Sequence, residues 1–409
     1  MLAEVDASSF RSSREEEAMV IVGPLAPWAT GIAEQLKTLG YAPSTAAQQM
    51  QLVRRLSRFL AQRGQDQISV AMVEEFFKDL RAHHGSSWPT VKTFRWLVEY
   101  LIESGVTPLP LPAPPQSPEE EVVDRYRRYL LDERGLARKT VADRERTARL
   151  FLAEHAGREL QGIDAGDVSR FVTRQVRNLT VRSAERLVNG MRSFLRFAVV
   201  DGLTAAPLAN AVPSVARWSA VGLPRGLARV QVAALLASCD RSRSIGRRDY
   251  AILVLLARLG LRAAEVASLR LDDIDWRAGE IVVRGKGRTE ERLPLPSDVG
   301  AAVAAYLRRG RPQRLERAVF LRVCAPLRGL APEGVSEVVR AASERAGLGS
   351  FGAHRLRHTA GTEMLRAGAS LAEVAQVLRH RSVATTAIYA KVDHLALREL
   401  AMPWPGAER

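Results

Sequence analysis

The sequence predicts a mainly α-helical protein with a small β-sheet, and three patterns lead to this fold class. Apolar residues recur three and four positions apart over most of the chain, as in amphipathic helices. Two β-rich runs, Glu280–Arg284 and Glu291–Leu295, flank a turn that contains glycine, which predicts a hairpin. A proline-rich stretch at residues 106–120 interrupts the helical pattern. We therefore expect separate helical domains, one of which carries the sheet.

The composition is that of a globular protein. The 409 residues are 46% hydrophobic and 26% charged, and the apolar runs are too short for a membrane span. Glu15, Glu16 and Glu17 occupy the region where a secretion signal needs an apolar stretch. The two cysteines provide neither a disulfide framework nor a metal cluster. We expect no membrane association and a cytoplasmic location.

The net charge of +15 is distributed unevenly along the chain. Residues 1–120 carry 11 Lys and Arg against 14 Asp and Glu, whereas residues 121–409 carry 49 against 31. A polyanion such as DNA is the leading explanation for a basic excess confined to the last two-thirds. The alternative is an arginine-rich composition that serves only solubility.

The residues that interrupt the helical pattern predict the order of the domains. The predicted order is a disordered, polar tail (1–24), a helical bundle (25–105), the proline-rich linker (106–120), a second helical bundle (121–204), a second linker (205–224), a larger domain with the hairpin (225–400) and a short tail (401–409). Gly135–Thr140 resembles Gly40–Thr45, and further matches follow at about the same offset. Two related bundles in tandem are therefore predicted.

The second bundle is the more basic of the two. Its candidates for contacts to a phosphate backbone are Arg138, Lys139, Arg144, Arg182 and Arg186. Some arginines in this region are expected to be ordinary solvated helix faces instead.

In the larger domain, Val230–Cys239 and Arg247–Leu259 are predicted helices, and Gly260 closes the second. Val319–Val323 is a candidate third strand. Ser370 and Glu373 are spaced as a capping box ahead of a further helix.

Six residues of this domain are of the types that cleave a phosphodiester without a metal. Such cleavage needs fixed positive charge on the phosphate, a nucleophile, a proton donor and a base. Arg262 follows the capping glycine with Glu265 placed to orient it, and Lys286 lies at the hairpin tip. His354 and Arg357 share a helix face, and His380 precedes Tyr389 by nine residues. Taken singly, an arginine after a helix end or a lysine in a turn is usually a surface residue.

Together these residues resemble the tyrosine recombinase (phage integrase) family. The matching motifs are Gly260-Leu261-Arg262 with Glu265, Lys286 between two glycines, His354 with Arg357, then His380 and Tyr389. The resemblance covers residues 121–400 and is strong over 250–392. It implies SAM-like core-binding bundles followed by a catalytic domain, forming a clamp on double-stranded DNA.

The resemblance also implies roles. Tyr389 attacks the phosphate to give a 3′-phosphotyrosyl intermediate, and Arg262 and Arg357 hold the phosphate. Lys286 protonates the leaving oxygen, His354 acts as base and His380 donates to a phosphate oxygen. No cofactor and no metal is implied. The expected assembly is a tetramer on DNA, of this chain or with partner recombinases, in the bacterial nucleoid.

Two features depart from the family pattern. Arg379 stands where glycine commonly precedes the second histidine, and we expect it to contact DNA together with Arg288 and Arg355. The bundle at 25–105 is additional to the minimal family architecture; its acidic balance favours protein contacts over clamping DNA. The helix expected after Tyr389 can pack in cis or on a neighbouring protomer.

Two other functions stay open at this point. One is a catalytically silent accessory recombinase, which the intact set of six residues disfavours. The other is a topoisomerase that uses the same nucleophile without site dependence.

Overall fold

The computed structural model describes residues 21–64, 68–84, 91–108, 117–204, 206–215, 226–285 and 289–379. They fall into two compact units. Pro110–Ala220 forms the middle unit. Met1–Leu109 and Val221–Arg409 together form the other, which we call the split unit. In the described part of the chain, no helix is both long enough and apolar enough to cross a bilayer.

The N-terminal part of the split unit consists of helices around an aromatic core. They are α1 (Ala29–Thr38), α2 (Pro43–Gln62), α3 (Val70–His84) and α4 (Arg95–Glu103). Proline at the first position of α2 suits a helix start because its missing N–H would have no helical acceptor there. Phe77, Phe94 and Trp96 are buried where the helices meet. This segment therefore has a core of its own.

The middle unit is also helical. Its helices are α5 (Pro118–Arg128), which continues into a short π-helix, α6 (Arg138–Glu154), α7 (Ala165–Val176) and α8 (Val181–Val200). Ser117, Asp164 and Thr180 cap the starts of α5, α7 and α8 with their side-chain oxygens. A cluster of buried aromatic rings, including Tyr126 and Phe194, fills the interior.

The C-terminal part of the split unit is built around α10. Its helices are α9 (Arg229–Ala237), α10 (Ser244–Leu259), α11 (Ala263–Ser268), α12 (Ser297–Arg309), α13 (Pro332–Arg345), α14 (Ala353–Arg366) and α15 (Leu371–Val377). Residues 251–256 of α10 are all buried, because α12, α13 and α14 pack around this helix. Gly260 ends it in the left-handed conformation with φ of 58°, as the sequence predicts. The predicted capping box of Ser370 and Glu373 is also present, at the start of α15.

A three-stranded antiparallel sheet lies beside these helices in the order β1, β2, β3. The strands are β1 (Ile274–Asp275), β2 (Glu280–Arg284) and β3 (Glu290–Pro294), so the predicted hairpin is present. Ile281 lies opposite Ile274 on one side and Leu293 on the other. The alternation along β2 buries Ile281 and Val283 against the helical core.

The predicted third strand at Val319–Val323 is wrong. This segment makes isolated bridges, from Ala318 to Arg270 and from Leu321 to Gly329, and the strand paired with β2 on its other edge is β1. Val319, Phe320 and Leu321 are all buried. Their β-rich composition therefore reflects complete burial of a short connecting segment rather than membership of the sheet.

Within the split unit, the N-terminal helices pack on the segment between α12 and α13. The Leu327 N–H donates to the Leu39 carbonyl at 2.8 Å, just past the end of α1. Arg328 Nη2 lies 2.5 Å from Glu99 Oε2 on α4. Burial raises the pKa of the Glu99 carboxyl, but hydrogen bonds from Arg328 and Arg95 outweigh it and the pKa is lowered overall. The segment for which the sequence left DNA or protein contacts open thus contacts the C-terminal region of its own chain.

Candidate active site

Arg262 lies at the junction between α10 and α11, two residues after Gly260. The backbone N–H of Arg262 donates to Glu265 Oε2 at 2.8 Å, which caps α11. Its side chain turns back so that Nη1 donates to Glu265 Oε1 at 2.6 Å. The predicted contact between these two residues is therefore present, and 39% of the Arg262 side chain remains exposed.

Glu265 is a buried carboxylate with cationic partners. Only 2% of the residue is exposed. Burial raises the pKa of Glu265, but the N–H of Arg262 and the charges of Arg379 and Arg262 outweigh this effect and lower it overall. The carboxylate is therefore ionised near neutral pH and fixes Arg262 by charge as well as by geometry.

Arg357 projects from α14 into the interior and is only 2% exposed. Its Nη1 donates to the Gly260 carbonyl at 2.6 Å, and its Nη2 donates to the Leu378 carbonyl. Both acceptors are carbonyls at helix ends, where helical partners are lacking. Arg357 thus ties the end of α10 to the end of α15.

Arg262 and Arg357 converge on one turn although they are far apart in sequence. Arg262 Nη2 donates to the carbonyl of Arg379 at 3.1 Å, and Arg357 donates to the preceding carbonyl, that of Leu378. The two guanidinium groups therefore meet at consecutive residues directly before His380. Two permanent positive charges therefore lie beside one turn, and in this conformation the Nη atoms of both arginines donate to protein oxygens.

His354 is exposed in the first turn of α14, three residues before Arg357. Its ring lies 4.4 Å from that of His358, centroid to centroid, in an edge contact. Burial lowers the pKa of His358, and the charge of Arg357 lowers it further. A neutral imidazole, that of His358, therefore lies against the His354 ring one helical turn away. His358 is not among the site residues predicted from the sequence, although its spacing of four residues from His354 places both on one helix face.

The prediction that Arg379 contacts DNA is not supported by its placement. Its side chain is 4% exposed and its Nη2 lies 2.8 Å from Glu265 Oε2. The buried carboxylate attracts the guanidinium inward. In this conformation the side chain of Arg379 cannot reach a phosphate on the surface.

Several predicted site residues lie outside the described residues, namely Lys286, Arg288, His380 and Tyr389. Next to the first two in sequence, the Gly285 N–H donates to the Thr289 carbonyl at 2.8 Å. Arg355 is described: it is half-buried, and its guanidinium lies 4.7 Å from the centroid of the Phe351 ring. In the described part of the chain, no group of His, Cys, Asp or Glu side chains is arranged to hold a metal ion.

Some arginines of the middle unit pair with carboxylates, whereas others are predicted DNA contacts. One group forms ion pairs with carboxylates, such as Arg127 with Glu145. Among the predicted DNA contacts, Arg144 is partly buried and donates to Ser193 Oγ at 3.0 Å. The others, Arg138, Lys139, Arg182 and Arg186, are exposed.

Gly260 couples the helix end to the arginines, and replacing it with alanine is expected to destabilise the split unit. A Cβ at this position would lie 2.5 Å from Leu378 Cδ2, and φ of 58° disfavours an L side chain. We expect a loss of about 2–4 kcal/mol in the free energy of unfolding, measured by urea denaturation. Gly202→Ala is the matched control, since φ there is 72° and a Cβ would meet nothing within 4 Å. Equal losses in the two variants would contradict the packing argument.

Comparisons with known proteins find matches for two stretches of the chain. Residues 225–395 match the phage integrase family and residues 123–202 match the phage integrase N-terminal SAM-like domain. The chain is 50% identical to the integrase/recombinase y4rA of Sinorhizobium fredii, over 70% of this chain and 71% of the relative. It is 34% identical to the tyrosine recombinase XerD of Mycobacterium tuberculosis, over 69% of this chain and 95% of the relative.

Solved structures show the same fold. A XerH recombinase bound to its difH substrate, in the post-cleavage state, superimposes with a TM-score of 0.57 at 18% identity, over 72% of this chain and 99% of that one. A lambda integrase dimer bound to a core site covers 83% of this chain and 89% of that one, with a TM-score of 0.54 and 15% identity. The chain therefore belongs to the phage integrase family of tyrosine recombinases and is a site-specific recombinase that breaks and rejoins DNA.

Proposed function

We propose that this recombinase cleaves DNA through a 3′-phosphotyrosyl intermediate formed by Tyr389. The observation that supports this most is the convergence of Arg262 and Arg357 on the carbonyls of Leu378 and Arg379. Two permanent positive charges beside one turn would attract a single phosphate, and with a local rearrangement of this turn the arginine Nη atoms would donate to phosphate oxygens in place of their protein acceptors. The turn leads directly into His380 and, nine residues later, Tyr389.

The proposed reaction is a transesterification. The Tyr389 oxygen forms a bond to phosphorus while the bond to the 5′-oxygen breaks, and His354 accepts the tyrosine proton. Lys286 donates a proton to the leaving 5′-oxygen, and His380 donates a hydrogen bond to a nonbridging oxygen. Arg262 and Arg357 balance the charge that develops on the phosphate. The 5′-hydroxyl of another strand then reverses the step, so no external energy source is required.

The middle unit is proposed to grip the DNA backbone. Arg138 and Lys139 lie in the first turn of α6, and Arg182 lies in the first turn of α8. Exposed cations at helix starts combine their charge with the helix dipole, which favours phosphate oxygens. Arg186, one turn further along α8, is also exposed and lies on the same helix face as Arg182.

The larger organisation is also a proposal. We infer that residues 25–105 and 121–204 are tandem core-binding bundles, joined by linkers at 106–120 and 205–224 to a catalytic domain at 225–400, with tails at either end. The solved XerH and lambda integrase complexes are bound to DNA sites. By analogy, this chain assembles as a tetramer on double-stranded DNA in the bacterial cytoplasm, alone or with partner recombinases.

The experiment begins by recovering a recognition duplex from a randomised library with the Tyr389→Phe protein. The recovered duplex is nicked near its centre, so that the short strand diffuses away after cleavage. Wild-type protein is expected to yield a covalent protein–DNA band on a denaturing gel. Tyr389→Phe is expected to yield none, because it lacks the nucleophilic oxygen.

Tyr250→Phe is the matched control, since it removes a tyrosine hydroxyl from α10 and should leave the band unchanged. The proposal fails if wild type gives no band on the recovered duplex or if Tyr389→Phe still gives one. Relaxation of a supercoiled plasmid that lacks the recovered sequence would indicate a topoisomerase instead.

A further inference from the structure

Arg379 has a backbone conformation that calls for an explanation. Its φ is 54°, and it is the one residue other than glycine with positive φ among those the structure describes. A Cβ in this region crowds the backbone, so the conformation persists only where surrounding contacts hold it. The candidate contacts are those of its side chain.

The Arg379 guanidinium folds back into the domain instead of extending to solvent. Its Nη1 donates to the Val377 carbonyl at 2.9 Å and its Nη2 to Glu265 Oε2 at 2.8 Å. Its Nε is buried and has no partner among the described residues. Placing an incompletely satisfied guanidinium in the interior is costly, so the contact with Glu265 must offset that cost.

Glu265 is therefore shared between two arginines. Its Oε1 accepts from Arg262 Nη1, and its Oε2 accepts from the Arg262 N–H and from Arg379 Nη2. Glu265 alone would fix Arg262 but would also cancel its charge. With Arg379 added, the three side chains carry a net charge of +1, and the exposed member of the group is Arg262. Little solvent screens the two buried members.

We propose that Arg379 is a positioning residue for Arg262: it neutralises Glu265, so that Glu265 orients Arg262 while the group keeps its positive charge for the scissile phosphate. The inference rests on the proposed function, because it assigns a purpose to Arg379 within the same cleavage step. Arg379 itself touches no reacting atom in this assignment. Its effect passes through Glu265 and through its own backbone carbonyl, which accepts from Arg262.

The test compares Arg379→Met, Arg379→Gly and Arg379→Lys in single-turnover cleavage of the nicked duplex. Methionine removes the charge, and glycine removes the side chain while suiting positive φ, so Arg379→Gly keeps the turn unstrained. Both are expected to slow cleavage by about 10- to 100-fold, as for loss of one charge-assisted contact. Arg379→Lys is expected to retain most of the rate. Duplex affinity should be unchanged in all three, and Arg340→Met, on the surface of α13, is the control.

A second substrate separates positioning from a merely structural role. A methylphosphonate at the scissile position replaces one charged oxygen by a methyl group and leaves the linkage neutral. If Arg379 acts by preserving the charge that Arg262 presents, the penalty of Arg379→Met should nearly vanish on this substrate. A penalty of the same size on both substrates would assign Arg379 a structural role and overturn the inference.

The remaining outcomes are equally decisive. If wild type and Arg379→Met cleave the duplex at the same rate, the inference about Arg379 is wrong while the proposed function stands. A weaker duplex affinity with a shallower salt dependence in Arg379→Met would make Arg379 a phosphate contact, which also overturns it. Failure of both Arg379→Met and Arg379→Gly to fold would show that the ion pair is structural. Failure of wild type to cleave overturns the proposed function and this inference together.

Discussion

Arg357→Ala is expected to reduce the rate of DNA cleavage by about 1,000-fold or more, the scale for losing a preorganised cation at a phosphate. The substitution removes one of the two guanidinium groups that meet at residues 378 and 379. It also leaves the carbonyls of Gly260 and Leu378 without their charged donor inside the protein. The free energy of unfolding should therefore fall by about 2–5 kcal/mol. Single-turnover cleavage and urea denaturation measure the two effects.

Arg366→Ala is the matched control for Arg357→Ala. Arg366 lies in the last turn of the same helix, α14, but its side chain is 60% exposed and pairs with Glu363 on the surface. Its removal should change stability by less than about 1 kcal/mol and leave cleavage intact. Cleavage by Arg357→Ala at the wild-type rate would refute the assignment of Arg357 to the phosphate.

Arg248→Met is expected to be the most destabilising single change at the ion pairs of the C-terminal region, by about 3–5 kcal/mol. Arg248 and Asp249 are adjacent in α10, and both are buried. Arg248 Nη2 lies 2.7 Å from Asp249 Oδ1, and its Nη1 donates to the Leu321 carbonyl at 3.1 Å. The substitution leaves the buried Asp249 carboxylate and the Leu321 carbonyl without their charged donor. Calorimetric melting of the purified protein measures the loss.

The pH dependence supplies an internal check on Arg248→Met. Burial already raises the pKa of Asp249 against the opposing charge of Arg248. Without Arg248 the folded-state pKa rises further above the unfolded value, so the folded state binds more protons between the two. Stability of the variant should consequently recover as the pH is lowered through the folded-state pKa. The double variant Arg248→Met/Asp249→Asn should lose less than the single one, and an equal loss would contradict the uncompensated-charge argument.

The elements with strong local signals could be predicted from the sequence. Gly260 as a helix end, the capping box of Ser370 and Glu373 and the hairpin of β2 and β3 each depend on neighbours within a few residues. The contact between Glu265 and Arg262 could be predicted in the same way, because a spacing of three residues places both on one turn. Local chemistry was sufficient in all these cases.

The remaining features depend on contacts that are remote in sequence. The sequence predicts that Arg379 is a surface cation. Its burial depends on Glu265, which contacts it from α11. β1 is two residues long, which is too short for the alternating pattern of a strand to be recognised. The buried residues at Val319 have the composition of a strand without being one. The pairing of Arg328 with Glu99 joins regions more than two hundred residues apart, and no sequence pattern announces it.

The packing of α1 and α4 on the segment around Leu327 joins two stretches of chain that are more than two hundred residues apart. Met1–Leu109 and Val221–Arg409 accordingly belong to one compact unit. Contacts between segments so distant in sequence form only when a long loop of chain closes, which costs conformational entropy. Breaking the contact between Arg328 and Glu99 would therefore weaken the association of the N-terminal helices with the C-terminal region. The N-terminal helices are thus part of the fold of the unit that carries Arg262 and Arg357.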